Sequence, residues 1–174
     1  MSEKPQPLLV TLQLDPNTFG VLDQLRQHHF PPVRNHLSAH ITLFHALPGD
    51  ELDSIRHTLQ QVCAGQTVLP LSLPKPWFIG RGVAINVECE GLLRLRSDLA
   101  QRWRAWVSPQ DQQRYHPHIT VQNKVPPEQA RQLYDHLVNT WTPMVGQGTG
   151  LLLWRYVGGP WEPIDTMPFG VESG

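Results

Sequence analysis

Along this chain, stretches in which every second residue is apolar alternate with stretches in which apolar residues recur every three or four positions. These are the signatures of half-buried strands and amphipathic helices. Leu8 to Leu14 sets Leu8, Val10, Leu12 and Leu14 against Leu9, Thr11 and Gln13 and predicts a strand. Pro16 opens a helix with Val21, Leu22 and Leu25 on its apolar stripe, and Pro31-Pro32 ends it. Residues 39–46 predict a second strand and Asp50 to Cys63 a helix with Leu52, Ile55, Leu59 and Val62 inward. Val68 to Leu73 predicts a short strand before a proline-broken loop carrying Trp77, Phe78 and Gly80-Arg81-Gly82. The second half follows the same plan. Val83 to Glu90 predicts a strand, and Leu92, Leu95, Leu99, Trp103 and Trp106 mark one long helix. His118 to Val125 predicts a strand, Pro127 to Trp141 a helix and Leu151 to Val157 a last strand, with Gly158-Gly159-Pro160 turning into the tail. The order strand-helix-strand-helix-strand thus appears twice. It predicts an α+β or α/β sandwich of two similar lobes, with a single mixed sheet covered by helices on one face as the alternative.

Composition narrows this picture. A chain of 174 residues suits one domain, 1–174, with interleaved lobes whose approximate halves are 1–82 and 83–174. Its 17 prolines and 13 glycines stay below the roughly 25–30% that signals disorder, so the fold is globular but rich in loops. With 14 Lys and Arg against 15 Asp and Glu, broad binding to duplex DNA or an anionic membrane is excluded, and any phosphate recognition is local. Cys63 and Cys89 have no CxxC spacing and read as free thiols. The N-terminus lacks the apolar stretch of a secretory leader and no window has the roughly 18 apolar residues of a membrane span. A cytosolic monomer is expected. Nine histidines against three lysines are the compositional oddity, because imidazole changes charge near neutral pH.

Two of those histidines sit in matching strings, His40-Ile41-Thr42-Leu43 and His118-Ile119-Thr120-Val121. By composition, such a string is expected about 0.08 times in a chain like this and two copies about 0.003 times, so the pair carries meaning. In a strand, alternate side chains share a face. His40, Thr42 and Phe44 therefore point one way, and so do His118, Thr120, Gln122 and Lys124, with the aliphatic residues packed behind. Two imidazoles facing one cleft can divide the work of a phosphodiester displacement, one taking a proton from the attacking oxygen and the other giving one to the leaving oxygen. The threonine hydroxyls can orient phosphate oxygens, and Lys124 can add positive charge. Phe44 is a candidate to stack a base or to floor the groove. The scheme needs no metal or other cofactor.

Paired H-Φ-[ST]-Φ strings about 80 positions apart, in a chain of this size, resemble the 2H phosphoesterase superfamily and its 2′-5′ RNA ligase-like branch. The flanks, Ala39-His40-Ile41-Thr42-Leu43-Phe44-His45-Ala46-Leu47-Pro48 and Tyr115-His116-Pro117-His118-Ile119-Thr120-Val121-Gln122-Asn123-Lys124, share the likeness. The resemblance covers essentially the whole chain. It implies an α+β bilobal fold, two pseudosymmetric lobes of antiparallel sheet with outer helices around a central groove. It also implies phosphodiesterase chemistry on RNA ends or small cyclic nucleotides, typically the opening of a 2′,3′-cyclic phosphate, with 2′-5′ ligation in some members. By the same likeness His40 is the acid, His118 the base, and Thr42 and Thr120 hold phosphate. Several relatives carry arginine shortly after the second string, whereas this chain has Gln122-Asn123-Lys124, which keeps the charge but not the bidentate fork.

Other residues receive plainer readings. Strand parity puts His45 on the face opposite His40, as a packed or edge histidine, and His116 reads as a pre-proline turn element. His28-His29 suit the C-terminal end of the first helix, and His57 and His136 are solvated helix positions. A His-ligated metal hydrolase is the minor alternative: His36, His40 and His45 cluster and His116-Pro117-His118 offers two imidazoles, but no Asp or Glu lies among residues 24–49 or 112–127. Trp77, Phe78, Arg81, Trp154, Arg155, Tyr156 and Arg34 are candidates to cover the groove or meet substrate. A non-catalytic nucleotide- or RNA-end-binding module is the competing class.

Overall fold

The structure is a computed structural model that describes residues 5–171, so residues 1–4 of the N-terminal segment read above lie outside the described residues. Its elements are β1 (Leu8–Leu14), α1 (Pro16–His29), β2 (Ile41–Leu47), α2 (Leu52–Ala64), β3 (Leu69–Leu73), β4 (Pro76–Phe78), β5 (Val83–Asn86), α3 (Glu90–Arg102), β6 (His118–Gln122), α4 (Pro127–Thr140), β7 (Met144–Arg155) and β8 (Glu162–Pro168). The strands form two antiparallel sheets. One runs β2-β1-β7-β3 with β8 also on β7, and the other runs β4-β5-β6. β7 holds β1 along one edge and, in turn, β3 and then β8 along the other. The fold is therefore α+β with two sheets rather than one mixed sheet. The sheets do not follow the halves 1–82 and 83–174, because β7 and β8 return to the first sheet and β4 pairs with β5 across that boundary.

Helix ends follow local chemistry. Asp15 caps α1 by accepting from the Thr18 amide at 3.1 Å, with Pro16 in the first turn where its missing N–H costs nothing. The Cys89 sulfur takes the Leu92 amide at 3.3 Å at the start of α3. That helix stops at Arg102, so Trp106 lies beyond it although its ring still packs on the core. α2 lies on β7 and β8, α4 on β4 and β5, and α1 touches both β6 and β7, bridging the two sheets. Two strands escaped the sequence pattern: β4 sits in the proline-broken loop, and β8 comes after the Gly-Gly-Pro turn. No helix among the described residues is long and apolar enough to cross a membrane.

Both HxT strands are edge strands, and both carry a bulge just after the threonine. Thr11 faces Thr42 but Val10 faces Phe44, and Ala84 faces Thr120 but Val83 faces Gln122, so two residues of each HxT strand oppose one of its neighbour. A bulge of this kind inverts the alternation beyond it. Phe44, expected on the groove face, is instead fully buried against Trp103, with ring centroids 5.1 Å apart. Gln122, also expected to face the groove, is buried too, and Gly82 backs so closely on its carbonyl that a Cβ would overlap it. Lys124 lies past the end of β6 in a left-handed turn (φ 64°), exposed and away from the groove. None of these three is placed to meet substrate in the groove. Phe44→Ala is accordingly expected to lower the unfolding free energy by about 3–5 kcal/mol, as for other buried aromatics, measured by urea denaturation. A change below about 1 kcal/mol would contradict the burial.

Candidate active site

His40 and His118 come together in one groove. A cavity of about 350 Å³ is lined by His40, Thr42, His118 and Thr120, with His45, Trp77, His116 and residues of the 110–115 stretch around them. The two histidines are held alike. His40 Nδ1–H donates to the Ser38 carbonyl at 2.7 Å, and His118 Nδ1–H donates to the His116 carbonyl at 2.7 Å. A carbonyl can only accept, so each ring carries its proton on Nδ1 and keeps Nε2 as the free nitrogen. Each ring also meets a tryptophan edge-on, His40 with Trp161 at 4.9 Å and His118 with Trp77 at 5.2 Å.

Behind each strand lies a buried arginine from a helix of the opposite sheet's connection. Arg26 of α1 gives Nη1–H to the Thr120 carbonyl at 2.9 Å and Nε–H to Leu37 O and Asn35 Oδ1. Arg96 of α3 gives Nε–H to the Leu43 carbonyl at 3.0 Å and Nη2–H to the Asp111 carbonyl at 2.6 Å. The Tyr115 hydroxyl adds a bond to Thr42 O at 2.9 Å. Burial lowers the pKa of both guanidiniums, yet arginine starts so high that both remain charged. Burial pushes the pKa of His40 down to about 4; the Ser38 carbonyl opposes the shift, and Arg26, His118 and His45 add to it. His118 is lowered as well, by burial first and then by His116 and His45, against the pull of the His116 carbonyl. Both shifts favour the neutral imidazole at pH 7.

The bulge that buries Phe44 also turns His45 to the groove side, contrary to the parity reading. Its Nδ1–H donates to Asp111 Oδ1 at 2.9 Å. Asp111 went unnoticed in the sequence, since it sits in an irregular stretch rather than in a strand or helix. The available signal was its isolation: it is the single acid between Asp98 and Glu128. Trp161 also went unnoticed. Of the other candidates, Trp77 lines the groove, Phe78 packs on Arg131 and Tyr134, and Arg81 bonds the Val125 carbonyl. Trp154 bonds Thr11 Oγ1 and, with Trp161 and His40, borders a second concavity of about 340 Å³ beside the first. Arg34 lines neither. Among the described residues, no three His, Cys, Asp or Glu side chains stand together as metal ligands would.

The depressed His40 pKa has a consequence for stability. Between about pH 4, its folded value, and about 6.5, the ordinary value, the unfolded chain binds the extra proton. Its contribution is fully present above about pH 6.5 and is lost as the pH falls towards about 4. The urea midpoint of His40→Asn is expected to vary less steeply with pH across that window than that of wild type; equal slopes would show that the ring is not held neutral.

Residues 14–160 match the family model of the 2′-5′ RNA ligase superfamily. No curated protein matches the sequence. Among solved structures, a Thermus thermophilus protein, TT0787, is similar with a TM-score of 0.70 at 17% identity, covering 94% of this chain and 98% of its own. E. coli LigT complexed with 3′-AMP is similar with a TM-score of 0.65 at 20% identity, covering 97% of this chain and all of its own. LigT has also been solved with NADP+ (TM-score 0.62, 19% identity, 97% and 100% covered). At these identities the structural likeness speaks for the fold, and the family match spans most of the sequence. The chain belongs to the 2′-5′ RNA ligase superfamily of 2H phosphoesterases.

Proposed function

We propose that the protein is a metal-independent phosphodiesterase that opens 2′,3′-cyclic phosphates on RNA ends or small cyclic nucleotides, with His40 and His118 exchanging protons. The observation that carries this reading is the matched pair of imidazoles, one on each sheet, sharing one groove with Nδ1 occupied and Nε2 free. Solved relatives that hold 3′-AMP and NADP+ support a ligand of the nucleotide class.

The chemistry follows from those positions. One neutral imidazole takes a proton from water through Nε2 as the water oxygen attacks phosphorus. The bond from phosphorus to one ribose oxygen breaks, and the other imidazole, protonated, gives its proton to that oxygen. One water is added across the P–O bond, and the two rings end with their protonation states exchanged. Thr42 and Thr120 hydroxyls bind the non-bridging oxygens, and positive potential comes from Arg96 and Arg114 in the groove lining and from the buried Arg26 behind β6. A ribose 5′-hydroxyl in place of water turns the same steps, run in the joining direction, into 2′-5′ ligation. Burial and the Arg26 charge favour neutral His40, which suits the base; we assign the acid to His118, whose own lowered pKa the bound phosphate anion must raise, the reverse of the order that the family likeness implies.

His40→Ala and His118→Ala are each expected to lose at least about 100-fold in 2′,3′-cyclic nucleotide hydrolysis, with chelator leaving wild type unchanged. On a nitrophenyl phosphodiester, whose leaving oxygen needs no proton, His118→Ala should recover most of its loss and His40→Ala should not; recovery by His40→Ala alone would restore the family order. Full activity in either variant would overturn the scheme, and nucleotide binding with no turnover in wild type would make the protein a binding module.

The pH profile has a definite sign. Because both free-enzyme histidines titrate below 6.5, the fraction with one ring neutral and one protonated peaks on the acid side of neutrality. The optimum of kcat/KM is expected below about pH 6.5, with kcat peaking at higher pH because bound phosphate favours a protonated ring. An optimum of kcat/KM above pH 7.5 would contradict this.

A further inference from the structure

Asp111 is placed as a dedicated partner of His45. Its side chain is 1% exposed, whereas that of His45 is 42% exposed and borders the groove. The carboxylate accepts from the His45 amide at 2.9 and 3.0 Å, from the Ala46 amide at 3.3 Å and from His45 Nδ1–H at 2.9 Å. The pairing of β2 with β1 shifts register again between Phe44 and Leu47, so the His45 and Ala46 amides fall at an irregularity on an open sheet edge. Burial alone would raise the Asp111 pKa, but the hydrogen bonds from the His45 ring and from the two amides bring it below the ordinary value. Asp111 is itself fixed: its amide donates to Ser108 Oγ at 3.2 Å and its carbonyl accepts from Arg96. A buried carboxylate is costly unless its partners are fixed, and here one of them is an imidazole whose other nitrogen is free.

With Nδ1 committed to Asp111, His45 has Nε2 left, and it shares the cavity with both HxT histidines. An anion in that cavity would set the ring between two negative groups, the arrangement that most favours a charged imidazolium donating from both nitrogens. The cyclic diester carries one negative charge. Attack by water builds a second, and the monoester product keeps it. A positively charged donor at this point therefore interacts more strongly with the transition state and product than with the substrate.

We propose that His45, oriented by the buried Asp111, is a third phosphate-binding imidazole of the groove, selective for the doubly charged phosphoryl group over the cyclic diester. This deepens the phosphodiesterase reading and rests on it for the reaction, while binding of a phosphate monoester tests the site by itself. Asp111 is a positioning residue; His45 makes the contact.

The experiment compares wild type, His45→Ala, Asp111→Asn and the double variant, each checked by thermal unfolding. Calorimetric titration with a nucleoside 2′-monophosphate and with inorganic phosphate reads the site, and steady-state kinetics on the 2′,3′-cyclic nucleotide read the reaction. His45→Ala is expected to weaken monophosphate binding about tenfold and to lower kcat by a similar factor while KM for the cyclic diester moves less than about twofold. Asp111→Asn should give the same pattern, with no further loss in the double variant. The half-exposed His45 leaves both amides to Asp111 when truncated, so the first variant decides the matter should the second fail to fold. Monophosphate binding unchanged in His45→Ala, or a raised KM at constant kcat, would overturn the proposal. Wild type that binds monophosphate through His45 yet hydrolyses no cyclic nucleotide would overturn the phosphodiesterase reading and leave the site standing; wild type that binds neither phosphate species would overturn the site.

Discussion

Two buried guanidiniums hold this fold in its working shape. Each comes from a helix that connects the strands of one sheet, and each gives a hydrogen bond to a main-chain carbonyl in or beside the threonine of the other sheet's HxT strand: Arg26 to Thr120, Arg96 to Leu43. An edge strand has one side without a neighbour, and the carbonyls on that side need donors if they are buried. Arginine meets the need with several N–H groups in a rigid fork. The exchange is mutual, so neither sheet can shift without stranding a carbonyl of the other, and the distance between the two histidines becomes a property of the whole molecule. Losing either arginine would leave uncompensated carbonyls in the interior, which costs more than the bonds themselves are worth in water.

The same pair contributes the positive charge that the proposed phosphate site needs in a chain of net charge −1. Among the described residues no lysine lines the groove; its positive charge comes from arginines, the buried Arg96 and the exposed Arg114 in its lining and the buried Arg26 behind β6, and burial shields Arg26 and Arg96 from salt. That placement has a second effect. Arg26 adds to the lowering of the His40 pKa, and the pKa of His118 is lowered too, so both rings favour the neutral form. In the proposed reaction the charge of a phosphodiester would support the protonated ring, so that ligand and proton bind as a linked pair.

Period-two and helical patterns mark β1, β3 and the two HxT strands β2 and β6, and α1 and α4 nearly to the residue, because each of those is a local property of the sequence. Phe44 and Gln122 were misplaced for a reason that no local pattern carries. The register of β2 and β6 is set by β1 and β5, and a single extra residue beyond each threonine reverses every side chain after it. His45 was misread by the same reversal, and its partner Asp111 comes from an irregular stretch 66 positions away. β8 was missed because Gly158-Gly159-Pro160 signals a turn but carries no information on the next element, and the pairing that makes a strand of Glu162–Pro168 is supplied by β7.

The near-symmetry of the groove makes one of its asymmetries informative. Each HxT histidine has a carbonyl on Nδ1, a tryptophan at its edge and an arginine behind its strand, and each strand is bulged after the threonine. A groove with that much equivalence would not tell the attacking oxygen from the leaving one. The equivalence ends three residues past each threonine, where the first strand has His45 tied to Asp111 and the second has Asn123, whose side chain bonds the amide of Lys124 as the chain turns away. One side of the groove therefore carries an imidazole backed by a carboxylate and the other does not, and a phosphate bound as proposed would meet that difference. A difference in local charge across two otherwise matched histidines is sufficient to give them different proton affinities once substrate is bound, and hence to give the displacement its direction.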